Sequence, residues 1–178
     1  MRAGGGKQKG AGFERAICVA LSQWLSKGKR KDLLWRSAMS GGRATLGMRK
    51  GEKHLSQGGD VSAIDPLGAA LTERFCIEIK FYRDLSFTGL WFGKGTLYQF
   101  WTKASVDAQR YGKEPMLIAK QNMQETVVLL SADSPLATDN WVCWRSGEIA
   151  VGLFEDMLRV PYVVPAVIER WRPRRGEV

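Results

Sequence analysis

Cysteine and histidine are scarce in this chain. Its 178 residues hold one histidine, His54, and three cysteines, Cys18, Cys76 and Cys143. The cysteines lie far apart, show no CxxC spacing and each sits in an apolar run. That pattern does not suggest a disulfide framework or a zinc knuckle. Buried, reduced thiols of a cytosolic protein are expected, with metal ligation through sulfur as the alternative. A lone loop histidine reads as a solvated side chain, general-base duty being its alternative. Long apolar runs are absent too: none approaches the ~18–20 residues that span a bilayer. Met1 to Gly10 is rich in Gly and Lys without an apolar signal core, so no secretion signal is expected. Acidic residues are outnumbered 18 to 27 by Lys and Arg, giving a formal charge of +9 and a pI near 9.7. Such an excess favours an anionic partner, nucleic acid before a membrane surface. No strongly basic amphipathic helix supports the membrane option.

What is present suits one globular domain. Apolar residues make up 44% of a chain long enough for a real core, and neither a repeat nor a linker divides it. Residues 1–10 read as a flexible basic tail. Residues 11–27 read as a helix, with Phe13, Ile17, Ala20, Leu21, Trp24 and Leu25 on one stripe. Glu14 falls in its first turn, where a carboxylate suits the helix dipole. Leu33 to Trp35 reads as a short buried strand. A second helix is expected over 96–111, then buried strands at 115–120 and 126–130. The first of these is the expected parallel partner of the strand at 75–81. Trp141 to Trp144 reads as a further strand, Ile149 to Leu158 as a short helix, and Tyr162 to Val164 as a last extended piece. The stretch Arg170 to Arg175 is basic.

The chemistry centres on Phe75-Cys76-Ile77-Glu78-Ile79-Lys80-Phe81. Strand side chains alternate, so the apolar residues share one face while Glu78 and Lys80 share the other. Upstream, Asp60 opens a second apolar run, Val61 to Ile64, expected as a strand from Asp60 to Asp65. Pro66 to Ala70 reads as a turn, and 75–81 as the antiparallel return. Two strands of this kind bring two hard oxygen ligands and one cation to a point. Mg²⁺ prefers carboxylate, carbonyl and water oxygens, and Asp60, Glu78 and the Ile79 carbonyl offer them. Lys80 would orient a water or neutralise charge at phosphorus, and beside a metal its pKa would be pushed down.

Three stretches suit nucleic acid. Arg36 to Arg43 combines small residues, two glycines, hydroxyls and arginines in a loop whose backbone can approach a phosphate. From Gly41 to Gly59 periodicity fades while Arg43, Arg49, Lys50 and Lys53 accumulate, as in a basic flap over DNA or an ordinary surface loop. Tyr82 to Gly95 is aromatic and Gly-punctuated, with Trp91, Phe92 and Lys94, suited to base stacking or to packing under a loop.

In order along the chain, Gly12-Phe13-Glu14-Arg15, Trp35 to Gly42, Gly59-Asp60-Val61 and Ile77-Glu78-Ile79-Lys80 resemble the PD-(D/E)XK nuclease superfamily. Within it they are most similar to archaeal-type Holliday junction resolvases and their phage-encoded relatives. The resemblance covers 10–130, which makes 11–130 the core of a single domain 11–178 and 131–178 a C-terminal extension. It implies an α/β, restriction-endonuclease-like fold, a central mixed β-sheet flanked by helices. It implies DNA cleavage dependent on Mg²⁺, with Mn²⁺ as substitute, by a cytoplasmic homodimer in a bacterial, phage-infected or archaeal cell. Asp60 and Glu78 would be the metal-binding acids, Lys80 the catalytic lysine, and Glu14 the first-helix acid completing the metal site. Ser37 or Ser40 would be the serine near the scissile phosphate. Gln99 resembles a polar residue placed near the site, and Lys120 a basic one. Gly59 stands where the family pattern has proline. The expected substrate is a four-way junction, with linear or other branched DNA as the alternative. A basic DNA-binding module with structural acids is the non-enzymatic alternative.

Overall fold

The computed structural model describes residues 5–37, 58–138, 141–144 and 148–161. Helix α1, Gly5–Leu25, buries Ile17, Cys18, Leu21 and Leu25, the stripe expected from its spacing. It starts earlier than expected: residues 5–10, expected as a tail, form its first turns. A tertiary contact explains this. Lys9 sits over the Phe81 ring, 4.1 Å from its centroid, and donates to Asn122 Oδ1. Beyond the helix, Lys27 and Gly28 turn with positive φ, and the Gly28 N–H caps the Gln23 carbonyl.

Ser22 ties α1 to the next element. Its fully buried hydroxyl accepts from the backbone N–H groups of Leu33 and Leu34 at 3.2 and 3.1 Å and donates to the Cys18 carbonyl. That fixes strand β1, Leu34–Arg36, which pairs antiparallel with β2, Val61–Ala63.

Helix α2, Pro66–Arg74, replaces the expected turn and hairpin. Asp65 caps it by accepting from the Leu67 N–H at 2.9 Å, and Pro66 occupies the first turn, where its missing N–H costs nothing. The strand pair expected between β2 and β3, Phe75–Tyr82, is therefore not a hairpin; a parallel bridge joins Gly59 to Ile77 instead.

The main sheet has the order β3-β4-β5-β7-β6. Strand β3 runs parallel to β4, Glu114–Gln121, as expected; the other pairs, with β5, Thr126–Ser131, β6, Val142–Trp144, and β7, Ile149–Leu153, are antiparallel. The segment 149–158, expected as a helix, divides into β7 and α5, Phe154–Arg159. Gly152 allows that strand to lie against Trp141, whose ring a Cβ would meet at 2.3 Å.

Between β3 and β4 come the short helix α3, Phe87–Trp91, and α4, Gly95–Arg110. One sheet face packs Ile77, Ile79, Met116 and Ile118 against α1; the other packs Leu117, Ala119 and Leu129 with Leu97 and Trp101 of α4. The result is a mixed sheet flanked by helices, the expected restriction-endonuclease-like architecture. Among the described residues no helix is long and apolar enough to cross a membrane.

Candidate active site

Two backbone hydrogen bonds and one from backbone to side chain bring the carboxylates together. The Ser37 N–H donates to the Asp60 carbonyl at 2.8 Å, extending the β1–β2 ladder, and the Asp60 N–H donates to the Ile77 carbonyl at 2.7 Å. The Asp60 side chain then folds onto β3, where its Oδ2 accepts from the Ile79 N–H at 2.9 Å. The small sheet is thereby bolted to the strand that carries Glu78.

Lys80 completes the cluster. Its Nζ donates to Glu78 Oε2 at 2.8 Å, Asp60 Oδ2 at 3.1 Å and the Ile79 carbonyl at 3.2 Å. Both acids are buried. Burial pushes the Glu78 pKa up, the Asp60 charge adds to the rise, and Lys80 opposes it. Burial pulls the Lys80 pKa down, but the charges of Asp60 and Glu78 outweigh it and the net direction is up. The pocket is short of positive charge, and its ammonium is held firmly protonated.

Three hard oxygens around one cation position are the donor set a Mg²⁺ or Mn²⁺ ion accepts, so Asp60, Glu78 and the Ile79 carbonyl fit such an ion. Among the described residues, no three His, Cys, Asp or Glu side chains gather as a metal site. Glu14 is engaged elsewhere: its Oε2 accepts from Arg36 Nε at 2.7 Å. That ion pair stands close by, since the charges of Glu14, Arg36 and Asp60 all act on the Cys18 thiol.

The remaining expected residues divide four ways. Ser37 is buried next to Asp60 through its backbone. Gln99 is exposed on α4. Lys120 pairs in register with Phe81, so alternation puts it on the opposite sheet face from Glu78 and Lys80. Ser40, Arg43, Arg49, Lys50, Lys53 and His54 lie outside the described residues.

Lys103 is an addition. Its charge reaches Glu78, and it lies one turn beyond Gln99, a spacing that could have marked it. Gly59 is another. Its φ is +89°, and a Cβ there would fall 2.4 Å from the Ile77 carbonyl oxygen. Cys18 and Cys76 are free and buried, with burial as the main cause pushing each thiol up to about 12, far from a thiolate ligand at neutral pH.

The model of a family described as "Phage putative PDDEXK endonuclease" matches residues 5–141. Nucleases of the PD-(D/E)XK type typically use divalent metals. Comparison with curated proteins and with solved structures yields no match.

Proposed function

The chain belongs to the phage PDDEXK endonuclease family, and from that premise we propose a DNA endonuclease that uses Mg²⁺, or Mn²⁺ in its place, and acts on branched DNA as a resolvase does. The observation that carries this reading is the Lys80 ammonium shared by Asp60 Oδ2 and Glu78 Oε2 beside the Ile79 carbonyl. It supports one position at which anionic oxygens hold a cation, with a second cation tethered next to it.

In this reading Asp60, Glu78 and the Ile79 carbonyl would hold the ion, and Glu14 would complete the acid set if Arg36 left it for phosphate. The ion supplies Lewis acidity and activates a water at neutral pH. Lys80, kept protonated by the two acids, would turn its ammonium from them toward the scissile phosphate and stabilise the charge that develops there. Arg36 and Ser37, joined to Asp60 through the Ser37 N–H at the end of the β1–β2 ribbon, would meet the phosphate. Gln99, Ser40, Arg43, Arg49, Lys50 and Lys53 would extend the DNA contact, while Lys120, on the opposite sheet face, drops out of it. A homodimer would set two such sites for paired cuts across a two-fold junction.

The test compares a four-way junction with linear duplex of the same arm sequence, in Mg²⁺ and in chelator, for wild type and Lys80→Ala. Paired symmetric cuts in the junction alone are expected. Metal-dependent cutting of both substrates keeps the nuclease and discards the junction. Binding without cutting in either Mg²⁺ or Mn²⁺ replaces the enzyme with a DNA-binding module.

A further inference from the structure

The segment after β3 presents aromatic rings to solvent. Trp91 and Phe92, at the end of α3, are 55% and 74% exposed. The ammonium of Lys94 stands 5.5 Å from the Phe92 ring centroid. Closer to the acids, Tyr82 is 46% exposed and packs on Phe100 at 4.8 Å. Tyr82 shares its strand face with Glu78 and Lys80, about 7 Å beyond Lys80 at the usual strand rise.

This segment is built to hold its shape. Leu85 and Leu90 are its buried anchors. The Leu85 N–H donates to Gln121 Oε1 at 2.8 Å, and the Leu97 N–H donates to the Leu85 carbonyl at 3.0 Å. The Lys94 N–H closes the turn onto the Gly89 carbonyl at 2.9 Å. Gly89 and Gly95 pack so tightly that a Cβ would meet the Lys94 carbonyl oxygen at 2.5 Å and Ser86 Oγ at 2.8 Å. A loop serving only to cover the core would turn its largest rings inward. Here Leu85 and Leu90, with half-buried Phe87 against them, do the burying, while Trp91 and Phe92 are held outside at a cost in solvation.

We propose that this surface is a stacking platform for unpaired bases, and hence that the substrate carries single-stranded nucleotides beside the scissile phosphate. Paired bases within a duplex offer no open face to a ring; unpaired ones do, and the Lys94 ammonium over the Phe92 ring is placed to meet their phosphate. The +9 charge of the chain favours that polyanion over an apolar protein partner. The inference rests on the nuclease reading for the presence of DNA, and its test is made without metal so that the two can fail separately.

The experiment measures fluorescence anisotropy in chelator with a labelled duplex and with the same duplex carrying an unpaired oligo-dT arm. Wild type binds the armed duplex more tightly. Phe92→Ala and Trp91→Ala each weaken that binding about tenfold, the scale of one lost stack, and change plain-duplex binding less than about twofold. Phe92→Trp, which keeps a ring, retains the preference, and thermal melting confirms that each variant is folded. Equal binding of both DNAs by wild type overturns the proposal, as does a preference that survives Phe92→Ala. Sedimentation showing that the alanine variants lose a dimer instead also overturns it, by making the face a self-interface. Failure of the wild type to cut any DNA in Mg²⁺, with the arm preference intact, sinks the nuclease reading alone.

Discussion

Gly59 lies against Ile77 with no room for a side chain: a Cβ would fall 2.4 Å from the Ile77 carbonyl oxygen and 2.8 Å from its nitrogen. Its φ of +89° is also one that other residues rarely adopt. The family pattern has proline at this point, and proline could not take that φ. Here the glycine lets β2 enter beside β3, so that the Asp60 N–H meets the Ile77 carbonyl and the carboxylate meets the Ile79 N–H. Gly59→Ala should destabilise the protein by about 2 kcal/mol or more from backbone strain and displacement. Thermal melting measures the loss, and cleavage per folded molecule should fall further, because Asp60 moves with the strand. An unchanged melting temperature would show that the bridge is dispensable.

Ser22 offers a test of how β1 is held. Its hydroxyl accepts from two buried N–H groups, and Ser22→Ala leaves both without that acceptor. The expected loss is about 1–3 kcal/mol, read as a lower urea midpoint at unchanged slope. A midpoint within experimental scatter of wild type would mean that water replaces the hydroxyl.

The placement of Glu78 and Lys80 was legible because alternation alone puts them on one side of β3, and the apolar stripe of α1 was legible by its spacing. The link from β2 to β3 was not. Asp65-Pro66 serves as a turn signal or as a helix cap with proline in the first turn, and the contacts of Leu71 and Thr72 with the core decide between them. Segment 149–158 misled for a similar reason: a short apolar run fits either element, and pairing with β5 and β6 selects the strand. The Arg36 ion pair with Glu14 joins residues on separate elements, so no local pattern announces it.

The buried pair of Arg74 and Glu114 gives the protein a pH signature. Arg74 Nε and Nη2 both donate to Glu114 Oε1, at 3.0 and 2.6 Å. Burial raises the Glu114 pKa and Arg74 pulls it back, with burial prevailing. A carboxyl whose folded pKa lies above its unfolded one loses stabilisation as pH rises from the unfolded value through the folded one. Arg74→Gln removes the opposing charge and should widen that loss. Denaturant titrations should therefore show the variant close to wild type near pH 4 and progressively weaker toward pH 7. A gap independent of pH would mean that packing, not charge, is what Arg74 contributes.

Arg43, Arg49, Lys50 and Lys53 should act through phosphate alone if they form a basic flap. Replacing all four by glutamine is expected to weaken DNA binding and flatten the plot of log affinity against log salt, by about 0.9 for each phosphate no longer neutralised. Binding measured at several salt concentrations separates this from an unfolding effect, which would not change the slope in that graded way. An unchanged slope makes the stretch an ordinary surface loop.

Removing one charge at the core of the site should show in DNA cleavage, and removing the other in stability. On the proposed reading, Glu78→Ala would take away a metal ligand and also a negative charge facing phosphate, so cleavage should disappear while binding stays equal or becomes tighter. Lys80→Gln leaves two buried carboxylates without their shared cation. Breaking a buried pair costs about 3–5 kcal/mol, and the partial exposure of Lys80 reduces the expected loss to about 2–3. In chelator the Lys80→Gln protein should melt well below wild type, and adding Glu78→Gln to it should recover part of the difference, since only one carboxylate then remains. Mg²⁺ should raise the melting temperature of Lys80→Gln more than that of wild type, because the ion meets no competing ammonium among the same oxygens. A Lys80→Gln protein as stable as wild type in chelator would mean that the acids are not both charged, and Glu78→Ala cutting normally would remove the central assignment.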